Sequence, residues 1–178
     1  MASEQDIVIP VSLDEKTFKR FARFDTLRLR KKWVRPAIFA GILIAFAAVA
    51  LLTRKLESGM IAAVLLTVGL GLPVVYIGMF LSQVNMQALR RKLGKGRRVY
   101  TVRLTQDALR VQNDQKKEET LAVPWKETQR AFRVKGCIYL YVSAARAFLL
   151  PDGQSETPPE DIWQYLIRRM GTEKCKKY

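Results

Sequence analysis

Residues 36–53 read PAIFAGILIAFAAVALLT and residues 58–84 read SGMIAAVLLTVGLGLPVVYIGMFLSQV, and the reading of these two runs decides the fold. The first is 18 uncharged residues between Arg35 and Arg54; the second opens 32 uncharged residues between Glu57 and Arg90. A helix crosses a bilayer core with about 20 mostly apolar residues, within a range of about 17 to 25. The second run is ample. The first is at the short end, where Arg35, Arg54 and Lys55 can snorkel and Trp33 suits the headgroup layer. A loop of only RKLES joins them, so they turn straight back as a membrane α-helical hairpin over residues 36–89. A buried hairpin in a soluble domain would need a chain large enough to surround two helices apolar on all faces, and 178 residues fall short of that. The AFAAVA stretch is not read as a signal-peptide cleavage site, because its apolar core follows a segment with a pattern of its own.

Charge is distributed around this hairpin. The chain carries 31 Lys and Arg against 16 Asp and Glu, a net charge of +15. Such a balance raises nucleic acid and anionic membrane as partners. Position separates them: residues 19–35 hold eight basic side chains and one acid, Asp25, and residues 90–98 hold six and no acid. Lys and Arg that flank spanning helices stay on the cytoplasmic side, so both termini are expected there. Topology then accounts for the charge, and no nucleic-acid partner is called for. The absence of histidine removes histidine-based triads, general bases and metal sites. Cys137 and Cys175 are too few for a thiolate cluster.

Outward from the hairpin, residues 1–35 read as a short strand followed by a basic helix. Ile7, Ile9 and Val11 alternate, Pro10 suits an edge strand, and Ser12 with Glu15 forms a capping box. Phe18, Phe21, Leu29 and Trp33 make a sparse apolar stripe on the helix, which fits a membrane-surface helix and a solvated helix packed on a domain equally well. Inside the hairpin, Ala37, Gly41 and Ala45 recur every fourth residue, as do Ala63, Thr67 and Gly71. Counting inward from the loop sets Ala45 near Thr67 and Gly41 near Gly71, a small-residue helix-packing face unless it only reflects how common Ala and Gly are in spanning helices. Gly69, Gly71 and Pro73 are expected to loosen or kink the second helix. Residues 90–96 form a basic linker with Gly94 and Gly96 as hinges. Residues 97–171 then alternate with period two around Val102 and Leu104, Leu109 and Val111, Leu121, Val123 and Trp125, Phe132 and Val134, Ile138 and Leu140, and Phe148 and Leu150. This is an antiparallel meander. Thr157, Pro158 and Glu160 cap a final helix with Ile162, Trp163, Leu166, Ile167 and Met170 on one face, Gly171 stops it, and residues 172–178 form a basic, frayed tail. The fold class expected is a membrane hairpin plus an α+β cytoplasmic domain.

The run LAVPWKETQRAFRVKGCIYLYVSAARAFLLP, residues 121–151, resembles the YcxB-like family of bacterial membrane proteins. Val123-Pro124-Trp125, Tyr139-Leu140-Tyr141 and Leu150-Pro151 stand where that family has its I-P-W, Y-L-Y-like and I-P strands. Thr128 departs from it, since an aliphatic residue is expected there, and so does the strongly basic surface. The resemblance implies a leading strand and helix, two inner-membrane helices and a PH-like (pleckstrin-homology-like) meander closed by a C-terminal helix. It implies no catalytic residue and no cofactor.

No catalytic, cofactor or metal constellation emerges from the residues either. Glu118-Glu119 and Glu160-Asp161 are adjacent carboxylates in a turn and at a helix start. Gly94-Lys95-Gly96 lacks the spacing of a phosphate loop, and Ser143 and Ser155 have no histidine to activate them. Trp125 reads as core. The chemistry left is electrostatic. Polybasic segments beside a membrane are attracted to anionic lipid within about a Debye length. Arg90, Arg91, Lys92, Arg97 and Arg98 are therefore the candidate lipid-headgroup residues. The function expected is a non-enzymatic membrane-anchored module that binds acidic headgroups or a membrane or cytoplasmic protein partner. The alternative is an accessory subunit of a larger complex joined through Gly41, Ala45, Thr67 and Gly71.

Overall fold

The computed structural model describes residues 6–53, 57–90, 96–114 and 119–178. The chain divides into two compact units, one of Met1–Thr17 with Leu93–Tyr178 and one of Phe18–Lys92.

The first unit is built from both ends of the chain. Strand β1 (Ile7–Leu13) pairs antiparallel with β2 (Arg97–Leu104), with Ile9 opposite Val102 and Val11 opposite Tyr100. In that register Ile9, Val11, Leu13, Val102 and Leu104 are all buried. Strands β3 (Ala108–Asn113) and β4 (Glu119–Pro124) extend the sheet in the order β1-β2-β3-β4. A second sheet follows from β5 (Arg130–Val134), β6 (Cys137–Tyr141) and β7 (Ala147–Pro151). Helix α4 (Pro159–Met170) packs on β5 and on the turn at Trp125, burying Ile162, Trp163, Tyr165, Leu166 and Met170. The helical segment thus interrupts a sheet between its first and second strands.

Four local expectations are corrected within this unit. Ser12 does not cap the first helix: it stays in β1, where its N–H donates to Gln154 Oε1 (2.7 Å) and its carbonyl accepts from Gln154 Nε2 (2.8 Å). The cap moves to Asp14, whose Oδ1 accepts the Thr17 N–H at 2.8 Å, and α1 runs Glu15–Arg23. Thr157 does not cap α4. Pro158 takes that position with extended backbone (ψ 142°), and no side chain caps the helix. The tail is not frayed: β8 (Cys175–Lys177) adds to the second sheet, parallel to β5, in the order β7-β6-β5-β8. The Tyr178 N–H bonds the Arg133 carbonyl at 2.9 Å, and its ring lies 5.7 Å from Phe132. Phe132 of β5 and Tyr141 of β6 are also 5.6 Å apart, so the Phe132 ring has an aromatic neighbour on each side, and all five residues of β6 are buried. β4 ends at Pro124, so Trp125 opens a single 3-10 turn rather than continuing the strand; its ring is still buried.

In the second unit, α1 gives way to a π-helical segment, Phe24–Leu29. One extra residue per turn rotates the following side chains out of phase. Of the stripe read from the sequence, Phe18 is buried, Phe21 and Leu29 are half-buried, and Trp33, beyond the π segment, is exposed; Phe24, outside that stripe, is buried. Lys31, at φ 47°, ends the segment in the left-handed region, and α2 (Val34–Leu52) begins. α3 (Ser58–Arg90) returns alongside α2 and stays helical through Pro73. Both helices are long and apolar enough to cross a membrane, and only 11% of each such window is buried. Ile38, Phe46, Leu52, Met60, Leu70 and Val74 all face outward. Such an apolar surface is far beyond what a soluble monomer exposes.

These observations predict three stability results. Residues 6–17 joined by a short Gly-Ser linker to residues 96–178 should unfold in urea as one cooperative unit. Residues 96–178 alone should lose most of that midpoint, because β2 loses its partner strand. Equal midpoints would show that β1 is dispensable. Trp163→Ala in the linked protein should cost about 3–5 kcal/mol, the range for a large buried aromatic. The third concerns Asp14, whose carboxyl is held below the usual carboxylate range, chiefly by a hydrogen bond with the Thr17 side chain. A lowered folded-state value contributes stability that is present above the unfolded value and lost as pH falls through the folded one. Asp14→Ala should therefore cost about 1 kcal/mol at neutral pH. Its difference from wild type should shrink on acidification, and a difference that persists in acid would assign the loss to packing.

Candidate functional site

The two basic flanks of the hairpin acquire different structures. On the first, the π-helical segment and the left-handed Lys31 turn the chain so that consecutive cations cluster rather than spread around a helix. Arg30 Nε lies 2.8 Å from Asp25 Oδ2, and Trp33 Nε1 donates to the Leu27 carbonyl at 3.1 Å. Arg30, Lys31, Lys32 and Arg35 rim a cavity of about 700 Å³. Its remaining lining is Pro36 and Phe39 from α2 with Leu72 and Tyr76 from α3. Among the described residues no carboxylate lines it. Among the described residues, the side chains of Lys31, Lys32 and Arg35 have no ion-pair partner. The volume falls within the range of small-molecule sites, about 300–1,000 Å³. A group that is anionic at one end and apolar at the other matches this lining.

On the second flank, Arg90 and Arg98 are the headgroup candidates whose side chains are described. Arg90 is the exposed last residue of α3. Arg91 and Lys92 lie outside the described residues, as does the proposed hinge at Gly94. Gly96 has φ 79°, a backbone conformation that glycine adopts without strain. Arg97 opens β2. Arg98 is engaged: its Nε is 2.6 Å from Asp114 Oδ2, and its Nη2 donates to Thr101 Oγ1 at 3.0 Å. Thr101 in turn donates to Asp114 Oδ1 at 2.9 Å. The β2–β3 register, with Tyr100 opposite Asn113, makes Asp114 the acid beside Arg98, although the sequence reads it as one charge in a polar turn.

The helix-packing face is also displaced. A Cβ added at Gly41 or at Gly71 would meet nothing within 4 Å, and Ala45 and Thr67 are exposed. The buried small residues are instead the pair Ala40 and Ala47 on α2 and the pair Ala62 and Gly69 on α3, with Ala88 further along α3. A Cβ at Gly69 would come within 3.2 Å of Leu43 Cβ and 3.5 Å of the Ala40 carbonyl. Both buried pairs are spaced by seven residues, the repeat that keeps one seam facing a partner helix. The four-residue spacing singled out in the sequence lies on a neighbouring face. Thr67 Oγ1 donates to the Ala63 carbonyl at 2.8 Å, which satisfies the hydroxyl within its own helix.

The remaining chemistry-bearing side chains have structural partners. Glu160 pairs with Lys177 at 2.8 Å, which holds its carboxyl below the usual range. Cys137 is buried, and burial pushes the Cys175 thiol up. Ser143 Oγ accepts the Arg146 N–H at 3.1 Å, and Ser155 Oγ donates to the Val8 carbonyl at 3.3 Å. Thr128 is buried and donates to the Trp125 carbonyl. Trp125 Nε1 and Tyr165 Oη both donate to the Thr105 carbonyl, at 2.9 and 2.8 Å. Glu118 lies outside the described residues. The cavity was not anticipated from the sequence. Its cations were visible as a charge run, but Phe39, Leu72 and Tyr76 are ordinary spanning-helix residues until the turn at Lys31 places a charged rim beside them. No family model, curated protein or solved structure matches this chain.

Proposed function

We propose that the chain is a membrane-anchored, non-enzymatic module of the bacterial inner membrane. On this reading the hairpin spans the bilayer and both termini and the β-domain are cytoplasmic. The domain is PH-like, of the YcxB-like kind, and the protein binds acidic headgroups at the cytoplasmic face. One observation carries the reading: two apolar, outward-exposed helices end in a cavity rimmed by four cations, the combination an interfacial lipid contact requires. The order of a four-stranded antiparallel sheet, a second sheet whose first three strands are antiparallel, and a closing helix supports the PH-like assignment. On this assignment the hairpin is an insertion between the first two strands.

A second reading has an observation of its own. A Cβ at Gly41 or Gly71 would meet nothing within 4 Å, and Ala45 and Thr67 are exposed, so the hairpin leaves these small residues open. An accessory subunit that meets partner helices in the bilayer would use such a surface.

Placement is tested by thiol labelling in intact cells, on a background in which Cys137 and Cys175 are replaced by Ser. Cys175 is unsuitable as a reporter because burial raises its thiol pKa. Glu57→Cys in the hairpin turn should react with an impermeant reagent added outside, and Glu173→Cys should not. The reverse pattern would place the domain outside the cytoplasm. Purification in mild detergent separates the two functions: co-purifying anionic lipid supports the first, and a stoichiometric membrane protein supports the second.

A further inference from the structure

The cationic cavity at the start of α2 is a built site rather than a diffuse charge. It differs from a polybasic surface in three respects. Its cations come from a six-residue stretch that a left-handed residue, Lys31, folds into a cluster. Three of them have no ion-pair partner among the described residues, while Arg30 is held in place by Asp25. The cavity also has an apolar wall contributed by both helices: Phe39 and Leu72 are partly exposed to it, and Tyr76 stands beside them. Cations alone would suit any soluble anion, and an apolar wall alone would suit any acyl chain. Their junction suits a molecule that joins the two.

We infer that Lys31, Lys32 and Arg35, with Arg30, bind the phosphate of an anionic glycerophospholipid, whose first acyl segment lies on Phe39, Leu72 and Tyr76. The inference rests on the membrane reading proposed above and adds a specific lipid site to it. Lysine and arginine supply complementary parts of this site. Arg35 offers a planar fork of donors to two phosphate oxygens, and Lys31 and Lys32 offer compact point charges. The rim lies where α2 begins, and the N-terminal end of a helix adds favourable potential for an anion. Tyr76 belongs to the residue class that populates the membrane–water boundary, with an apolar ring and a polar tip. The headgroup collar on the other flank has no equivalent among the described residues, since Arg98 is engaged by Asp114 and Thr101.

The test uses the full-length protein in a neutral detergent. Native mass spectrometry follows titration with dioleoyl phosphatidylglycerol, dioleoyl phosphatidylcholine and glycerol phosphate. The phosphatidylglycerol should be retained in a one-to-one complex, with the phosphatidylcholine held at least about tenfold more weakly, since each Lys or Arg near an anionic headgroup contributes measurably. Replacing Lys31, Lys32 and Arg35 together by Gln should lower phosphatidylglycerol retention by about tenfold or more. Replacing Lys19, Arg20 and Arg23 by Gln removes as many charges from the same flank outside the cavity, and should change retention by less than about twofold on the same scale. Phe39→Ala combined with Tyr76→Ala leaves every charge in place and should also lower retention, which decides the matter if the charge variant fails to reach the membrane. Equal loss in the two charge variants, or equal retention of the two lipids, would overturn the site in favour of diffuse attraction. Binding of glycerol phosphate as tight as that of the lipid would make it a soluble-phosphate site instead. Resistance of the wild-type protein to alkaline extraction from membranes is measured in parallel. Loss of that resistance would sink the membrane reading itself, whereas retained resistance with indifferent lipid binding would sink only the site.

Discussion

The pairing of β1 with β2 is the constraint on which the rest of the molecule depends. Among the described residues β1 hydrogen-bonds to one strand, and Ile9, Val11 and Leu13 are buried in that register. Residues 14–96 intervene, so the ladder closes only after the helical segment has been made and the chain has returned. Magnitudes show why this is tolerable. Each doubling of a closed loop costs only about 0.6 kcal/mol, so a detour of this length costs roughly 2–3 kcal/mol more than a tight turn. Burying three aliphatic side chains returns about 1.5–3 kcal/mol each. The apolar term wins, and a sheet can therefore carry a long insertion between adjacent strands.

Once β1 is in place, a small set of hydrogen bonds ties the two sheets and the helix together. Tyr100 on β2 donates its hydroxyl to the Leu149 carbonyl at 3.1 Å and accepts the Leu149 N–H at 2.8 Å, while its ring lies 5.4 Å from Phe148. That one side chain satisfies both backbone groups of an edge-strand residue, groups that would otherwise lack partners. Gln154 does the same for Ser12 at the end of β1. The Thr105 carbonyl collects donors from Trp125 and from Tyr165 of α4, and the two rings meet edge to face at 6.1 Å. Each link joins elements far apart in sequence, so the domain closes as a unit.

Charge shows how similar composition leads to different outcomes. Both flanks of the hairpin are strongly basic. On one flank, a π-helical segment and a left-handed residue gather four cations beside an apolar wall. On the other, β-sheet register makes Asp114 the neighbour of Arg98 and binds part of the charge internally. The number of charges is similar on the two sides. What differs is whether the backbone concentrates them or supplies a counter-ion.

Much of this was determined by sequence alone. The two spanning-length helices follow from uninterrupted apolar runs, a signal so strong that no tertiary contact is needed to read it. The strands at Val102, Leu109, Val123, Ile138 and Leu149 follow from period-two alternation, and α4 from its stripe around Trp163. Tertiary structure decided what periodicity cannot carry. Ser12 and Asp14 are both competent caps, and the β1–β2 ladder, with Ser12 opposite Arg98, together with the Gln154 contact, 142 residues away, holds Ser12 in the strand. Gly41 and Ala40 are equally small, and only the rotation of α2 against α3 decides which is buried. The tail looked like loose basic residues until Tyr178 found Phe132. The cavity required a one-residue π insertion and a left-handed lysine, neither of which leaves a mark in residue patterning. Local preference is written along the chain, whereas register, rotation and long-range pairing are choices among locally equivalent residues, and those are made only when distant surfaces meet.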